Sequence, residues 1–209
     1  MIKAKIVDYR VSCSDDSPLR ALVPESVLTD GEKIKPMLNR RLSSLGKRTV
    51  ALMNELAVDD RLPVVWLSRY GDLARTARLM HSVARSEPLS PIDFSLSVQN
   101  AEPGIYSIAT EDEQPIVAMS CVKYRAYSAF LEAYGIMREQ QADVLIVFAE
   151  QSIPDEYRKV TTSEVEDVAI VVRLTHTDAD HLKLSELRNL DDEQNFESFL
   201  RWLVDHSEP

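Results

Sequence analysis

Two apolar runs separated by one helical segment constrain the fold more than any other feature of the sequence. Residues 115–121 and 143–149 have the composition of buried strands, and residues 124–140 between them carry aromatic and apolar residues at helical spacing. Short connections around a helix are typical of a strand–helix–strand unit, in which the two strands run parallel. The sequence therefore predicts an α/β fold, with a mostly parallel sheet that is covered by helices.

The other segments alternate in the same way between strand and helix patterns. Further strands are predicted at residues 2–9, 63–68 and 168–174, and further helices at residues 37–57, 72–85 and 196–204. Gly46 is a possible break in the first of these helices, and residues 100–108 fit either a helix or a strand. With 209 residues, 44% of them hydrophobic, we expect a single domain spanning residues 1–209.

Charge and glycine content exclude several kinds of ligand. The formal net charge of −10 repels phosphate backbones, and no basic stripe offsets it, so we expect no nucleic acid partner. The chain has only five glycines, and no two of them are close together. Loops that bind nucleotide phosphates need clustered glycines, so a P-loop or dinucleotide site is excluded and no cofactor is expected.

Cysteine usage and apolar run length indicate the compartment. Cys13 and Cys121 are far apart and lack the spacing of a disulfide framework or a zinc knuckle. No apolar run approaches the roughly 20 residues of a membrane span, and the N-terminal residues lack the apolar core of a signal peptide. We therefore expect a cytoplasmic protein with no membrane span.

Cys121 is the strongest candidate for a nucleophile. It lies between a predicted strand and a predicted helix, where a helix N-terminus stabilises a thiolate. Its neighbours Met119, Lys123 and Tyr124 are bulky, however, and would crowd a substrate. This favours a small buried cysteine over a nucleophile.

A second cluster, at residues 176–181, resembles a metal site in composition. It contains His176, Asp178, Asp180 and His181, but side chains that alternate after a strand do not converge on one ion without a fixed loop. We interpret it as a solvated turn and expect no metal. The acidic stretches 111–113 and 191–193 are likewise interpreted as solvated turns.

Residues 89–100, LSPIDFSLSVQN, combine a proline and alternating serines with apolar side chains. Pro91 stiffens the segment, while Asp93 and the serines are suited to satisfying loop backbone groups. The segment therefore predicts a rigid loop. Ile92 and Phe94 either face a partner from this loop or pack in the chain's own core.

Two strings of residues carry a resemblance to a known family. Residues 68–73, SRYGDL, and residues 87–101, EPLSPIDFSLSVQNA, resemble the N-terminal half of β-ketoacyl-acyl-carrier-protein (ACP) synthases. The resemblance extends from about residue 36 to residue 150, and is strongest to short ketosynthase-like proteins of aryl polyene pathways. It implies a thiolase-like fold, of which this chain holds the N-terminal half only.

The resemblance also implies a function without catalysis. In that family the first half carries a nucleophilic cysteine and the second half carries two catalytic histidines. No counterpart of the second half's GTGT and NSFGFGG motifs is present. The implied function is that of a chain length factor, which forms a heterodimer with a full-length β-ketoacyl-ACP synthase and meets the acyl carrier protein through that complex.

The residues that the resemblance assigns to the partner interface and to the acyl tunnel are Ile92, Asp93, Phe94, Ile116, Val117 and Met119. Cys121 marks a vestigial nucleophile region. Two alternatives remain open. The chain is either a stabiliser of the ketosynthase that leaves product length unchanged, or a small acyl-transfer enzyme that uses Cys121.

Overall fold

The structure, a computed structural model, describes residues 1–29, 40–57, 60–160, 166–179, 181–190 and 196–207. Its strands are β1 (Ala4–Cys13), β2 (Val64–Leu67), β3 (Ile116–Met119), β4 (Val144–Glu150) and β5 (Val168–His176). They form one sheet in the order β1, β5, β4, β2, β3. Strands β2, β3 and β4 run parallel, whereas β1 and β5 are antiparallel to their neighbours. The sheet is therefore mixed.

The α-helices of the described residues are α1 (Ser44–Ala57), α2 (Leu73–Ala84), α3 (Pro91–Leu96), α4 (Ala101–Thr110), α5 (Arg125–Gln140), α6 (Leu184–Arg188) and α7 (Glu197–His206). Helices α5 and α7 pack on one face of the sheet, and α1 and α4 pack on the other. Two apolar cores result, one on each side. None of the helices described is both long and apolar enough to cross a membrane.

The predicted strand–helix–strand unit is present, with one difference in pairing. Strands β3 and β4, joined by α5, both pair with β2, which lies between them. Every residue of β4 is buried because helices cover both faces, whereas all four residues of β3 are only half-buried. The prediction that residues 115–121 form a buried strand is therefore wrong, because an edge strand has a partner on one side only.

Two helical predictions also change. Helix α1 begins at Ser44 and continues through Gly46 without a break, while residues 37–39 lie outside the described residues. A side chain at position 46 would collide with the carboxylate of Glu102, so the glycine permits close packing of α1 against α4. Residues 100–108, ambiguous in the sequence, belong to the α4 region.

Candidate functional site

Strand β3 forms an open edge of the sheet. It pairs with β2, and no other strand in the described part of the chain lies on its second side. The carbonyl oxygens of Pro115 and Met119 accept hydrogen bonds from the N–H groups of Val64 and Ser68, at 2.9 and 3.2 Å. Backbone groups alternate in direction along a strand, so those of Ile116 and Ala118 point away from β2. This edge can accept a strand from another chain.

The side chains of β3 anchor the edge to both cores. Val117 and Met119 pack against the core beneath α5, and Ile116 packs against the core beneath α1 and α4. The three residues predicted for the interface thus hold the strand in place while its backbone faces outward. Their contact with a partner stays a prediction.

Residues 89–100 contain a short helix rather than a rigid loop. Ser90 caps α3 by accepting a hydrogen bond from the Asp93 N–H at 3.2 Å, and Pro91 occupies the first turn. Serine followed by proline is also a helix start signal, which is why the loop prediction is wrong. Ile92 and Phe94 are 68% and 62% exposed, so they do not pack in the chain's own core.

Exposed apolar side chains lie both on α3 and on helix α2, which packs against it. We define the apolar patch by its exposed members, which are Met80, Val83, Leu89, Ile92, Phe94 and Val98. The helical spacing of residues 72–85 predicts an apolar face made of Leu73, Ala77, Met80 and Ala84, but only Ala77 of these is buried. Asp93 is charged and is therefore not counted in the patch. Its Oδ1 lies 3.9 Å from Nε of Arg75 on α2. Exposed apolar patches of this kind mark interaction sites.

Gln99 connects the apolar patch to the end of the open strand. Its side-chain amide donates hydrogen bonds to the carbonyl oxygens of Ser68 and Met119, at 2.7 and 2.6 Å. Nearby, the hydroxyl of Ser120 donates to the carbonyl oxygen of Arg69 at 2.8 Å. The turn after α3 and the carboxyl ends of β2 and β3 therefore form one connected unit.

The turn from β3 into α5 resembles a nucleophile elbow. Tyr124, directly before α5, has φ of 55° and ψ of 41°, a left-handed conformation that is unusual for a bulky residue. On a strand–turn–helix elbow the strained residue is the one that displays the nucleophile. Cys121 lies earlier in the turn and is partly exposed, so the prediction that it is buried is wrong.

An ion pair behind the elbow was missed by sequence analysis. Arg125, the first residue of α5, is completely buried, and its Nη1 lies 3.3 Å from Oε1 of Glu150 at the end of β4. The same oxygen accepts a hydrogen bond from the Arg69 N–H at 2.9 Å. The Arg125 guanidinium also lies 4.2 Å from the centre of the Phe196 ring. Burial raises the pKa of Glu150, although both arginines favour its carboxylate.

These contacts lie where an α/β protein commonly binds its ligand, beyond the carboxyl ends of the parallel strands. Here the backbone N–H of Arg69 and the guanidinium of Arg125 both bind the Glu150 carboxylate, which holds the scaffold around the elbow. A signal was present in the sequence, since Glu150 directly follows an apolar run at residues 144–149. A charged residue that ends a buried strand needs a partner.

The remaining sequence candidates do not converge. His176 Nε2 lies 3.3 Å from Arg138, and Asp178 pairs with Lys3 at 2.8 Å. Asp180 and residues 191–193 lie outside the described residues. In the ranges that the structure covers, no three side chains of His, Cys, Asp or Glu are grouped as metal ligands.

The sequence matches a known family over most of its length. A family model described as the N-terminal domain of β-ketoacyl synthase matches residues 16–201. A search of curated proteins finds no match.

Solved structures share the fold. A ketosynthase (ApeO) in complex with its chain length factor (ApeC) from Xenorhabdus doucetiae matches with a TM-score of 0.69 and 22% identity, over 84% of this chain and 80% of that one. The ishigamide ketosynthase/chain length factor has a TM-score of 0.60 and 14% identity, over 86% of this chain and 63% of that one. A β-ketoacyl synthase from Burkholderia phymatum has a TM-score of 0.62 and 12% identity, over 86% of this chain and 60% of that one.

Sequence and structure thus agree with the resemblance noted at the start. The family model covers strands β2 to β5, and the solved structures share the fold of the chain. The chain belongs to the β-ketoacyl synthase N-terminal domain family and has its thiolase-like fold.

Proposed function

We propose that this chain is a non-catalytic subunit similar to a chain length factor. It forms a heterodimer with a complete β-ketoacyl-ACP synthase and helps to shape the acyl tunnel of that enzyme, in type II polyketide biosynthesis of the aryl polyene kind. Residues 1–209 act as one domain, in the cytoplasm. The observation that carries the proposal is the open β3 edge beside the apolar patch.

The open edge provides the site for heterodimer formation. Outward backbone groups of Ile116 and Ala118 offer hydrogen bonds to a strand of the partner, which extends the sheet across the interface. The apolar patch lies next to this edge, and Gln99 fixes the two relative to each other. The same interface then combines strand pairing with apolar burial. Pairing satisfies the open backbone groups of β3, and burial removes the apolar patch from water.

The elbow supports a role without catalysis. The left-handed position that would display a nucleophile is occupied by Tyr124. Its ring lies 5.7 Å from the guanidinium of Arg188, a distance typical of a cation–π contact. In the proposed complex the partner supplies the cysteine and the histidines.

Ile92 and Phe94 supply the proposed control of product length. They project from a capped helix into solvent, so a partner that docks on the patch receives two apolar side chains from a rigid support. We assign them to the wall of the partner's acyl tunnel, where their volume limits the growing chain. Asp93, held near Arg75, and Met119 complete the set proposed for the tunnel wall, and Ile116 and Val117 of β3 belong to the proposed partner interface.

The acyl carrier protein is assigned to the partner. This chain has a formal net charge of −10, so an acidic carrier is repelled from it and is directed to basic residues elsewhere in the complex.

Co-expression with a complete β-ketoacyl-ACP synthase of the same pathway tests the proposal. We expect the two chains to elute together in size-exclusion chromatography. Phe94→Ala is expected to lengthen or broaden the product distribution measured by mass spectrometry, because a smaller side chain leaves more room in the tunnel. Val7→Ala, an exposed apolar residue of β1 at the opposite edge, serves as the matched control and leaves the products unchanged.

Two results would overturn parts of the proposal. An unchanged product distribution for alanine variants at Ile92, Phe94 and Met119, with the complex intact, identifies a stabiliser and contradicts the tunnel role. Acyl transfer by the purified chain alone, abolished by Cys121→Ser, identifies a small enzyme instead.

A further inference from the structure

Helix α3, which carries Ile92 and Phe94, is attached to the rest of the chain without a fully buried side chain of its own. None of its residues, all of which the structure describes, is buried. Leu96 packs partly against the core beneath α1 and α4, and Asp93 lies 3.9 Å from Arg75. An ion pair of this length with a partly exposed partner contributes little to stability. The position of α3 therefore depends on what fixes the turn that follows it.

Gln99, in that turn, has its amide nitrogen between the ends of two strands. Nε2 donates hydrogen bonds to the carbonyl oxygens of Ser68, directly after β2, and of Met119, the last residue of β3, at 2.7 and 2.6 Å. An amide nitrogen carries two N–H donors, so this one side chain satisfies both acceptors. Gln99 thereby connects the turn after α3 to β2 and to β3 at once.

The segment between Phe94 and Gln99 is stiffened by its own hydrogen bonds. The N–H and the hydroxyl of Ser97 both donate to the carbonyl oxygen of Phe94, at 3.2 and 2.8 Å. The Ala101 N–H donates to the carbonyl oxygen of Val98 at 3.0 Å. Because these bonds restrict the backbone on both sides of the turn, the position of Gln99 sets the position of Phe94.

The turn after β2 also packs against Gln99. Gly71 in this turn has a φ of 60°, and its N–H donates to the hydroxyl of Ser68 at 3.0 Å. A Cβ atom at position 71 would lie 3.6 Å from Cα of Gln99, so the two backbones are close together. Gln99 is therefore held by this backbone contact as well as by the two hydrogen bonds of its amide.

The hydrogen bonds of Gln99 do not compete with pairing at the open edge. The carbonyl oxygen of Met119 also accepts the N–H of Ser68 at 3.2 Å, so it points toward β2. A partner strand would instead use the outward backbone groups of Ile116 and Ala118. A change of the Gln99 side chain is therefore expected to affect the position of α3 while the β3 edge stays available.

We infer that Gln99 is the positioning residue of the proposed tunnel wall. It sets the distance from the paired edge to Ile92 and Phe94, and thereby the length at which the product stops growing. The inference rests on the proposed function, because it requires a partner that pairs with β3 while α3 enters its tunnel. Gln99 itself does not contact the acyl chain in this assignment, and acts through the placement of Phe94 relative to Met119.

Product analysis of the co-expressed complex tests this inference. Gln99→Glu keeps the size of the side chain but places an ionised carboxylate against two carbonyl oxygens, and Gln99→Met removes the donors without adding a charge. Each variant is expected to broaden the product distribution toward longer chains, as Phe94→Ala does, with unchanged affinity for the ketosynthase. Gln140→Glu, the same charge change at the exposed end of α5, is the matched control and is expected to leave the products unchanged.

Two further measurements separate positioning from a general loss of stability. In a Phe94→Ala background, Gln99→Met is expected to change the products little further, because the side chain that Gln99 positions is already absent. In the free chain, hydrogen exchange of residues 90–101, measured by mass spectrometry, is expected to become about tenfold faster in Gln99→Met, while exchange in β4 and β5 is unchanged. A general loss of stability would instead accelerate exchange in all of these segments.

The outcomes distinguish this inference from the proposed function. If Phe94→Ala changes the products but both Gln99 variants leave them unchanged in an intact complex, Gln99 has no positioning role and the tunnel role stands. Fully additive effects of Phe94→Ala and Gln99→Met would show that Gln99 acts independently of Phe94. Loss of ketosynthase binding in Gln99→Met would show that Gln99 supports the paired edge instead. An unchanged product distribution in Phe94→Ala contradicts the tunnel role itself, and this inference with it.

Discussion

In the described residues, one edge strand of the sheet is covered by other segments of the chain, whereas the other edge strand is open. Strand β1 has ten residues, and its outer side is covered by bridges from Leu28 to Val11 and from Ser207 to Ile6. Its register also shifts between Ile6 and Asp8, as at a β-bulge. Strand β3 has four residues, is half-buried, and has no such cover in the described residues.

The edge strands of folded sheets are usually protected, because their unpaired backbone groups can pair with other chains. This chain protects β1 by cover and by a shift in register, and leaves β3 open beside an apolar patch. In the proposed complex the partner therefore pairs with the β3 edge. If the two edges differ in this way, the following variants should change stability and binding, from the largest effect to the smallest.

The largest effect concerns the support behind the open edge. Arg125→Ala leaves Glu150 buried without its main cationic partner, which costs about 3–5 kcal/mol for a pair of this kind. We expect this loss in the free energy of unfolding from urea titrations. Arg201→Ala, which breaks an exposed pair with Glu197 on α7, is the control and is expected to cost less than about 1 kcal/mol. Similar losses in both variants would contradict the structural role of the buried pair.

The second effect separates the two sides of β3. Ala118→Pro removes an N–H that points away from β2, so the chain should stay folded while affinity for the ketosynthase falls about 10- to 100-fold, through one or two lost hydrogen bonds. Val117→Pro removes an N–H that points toward β2 and should instead destabilise the fold. Surface plasmon resonance and thermal unfolding distinguish these results. Unaltered affinity in Ala118→Pro would show that the partner does not pair with this edge.

The third effect compares exposed apolar residues at opposite edges. Ile92→Ala is expected to weaken ketosynthase binding about tenfold, since buried anchors of an interface typically contribute this much. Val7→Ala, on β1, is expected to leave the affinity unchanged. Equal losses of ketosynthase affinity in the two variants would show that the partner does not prefer the β3 edge to the β1 edge.

The smallest effect concerns a carboxyl group in α4, the helix that supports Ile116 of the open strand. Burial raises the pKa of Glu102 above its ordinary value of 4.5, although hydrogen bonds from Ser43 oppose the shift. A raised pKa means that the folded state binds the proton more strongly than the unfolded state does. Its stabilising contribution is therefore complete below pH 4.5 and is lost as the pH rises through the folded-state pKa.

Glu102→Gln keeps an acceptor for Ser43 and removes the charge. We expect the variant to be more stable than the parent at neutral pH, and to lose this advantage in acid. Urea titrations at a series of pH values measure the difference, and Glu111→Gln, in a surface turn, is the control. A constant difference at every pH would contradict the role assigned to ionisation.

The sequence predicts the positions of the helices and strands better than it predicts how deeply each of them is buried. Apolar runs and helical spacing are local, so strands β2, β4 and β5 and helix α5 lie where the sequence predicts them. Residues 115–121 are as apolar as residues 143–149, yet one run forms an edge and the other the interior. That distinction depends on strand order, which no local pattern encodes.

The candidate site was predictable in part. The pattern identifies Ile92 and Phe94 as apolar residues in an unusual segment, but it predicts a loop there, whereas Ser90 and Pro91 start a helix. The pair between Arg125 and Glu150 joins a helix start to a strand end, so it depends on tertiary structure and not on a local sequence pattern. Tyr124, with its left-handed backbone, directly precedes that helix.

Among the described strands only the β3 edge is open, and this limits the stoichiometry of the proposed assembly. Two chains that meet through β3 build one continuous sheet of about ten strands, and each outer boundary is then a covered β1 strand. A third chain finds no free position on either boundary, so growth into a filament stops at the pair. In the proposed heterodimer the partner occupies this same edge, so self-association and heterodimer formation would be mutually exclusive, and the relative abundance of the two subunits would govern which species forms.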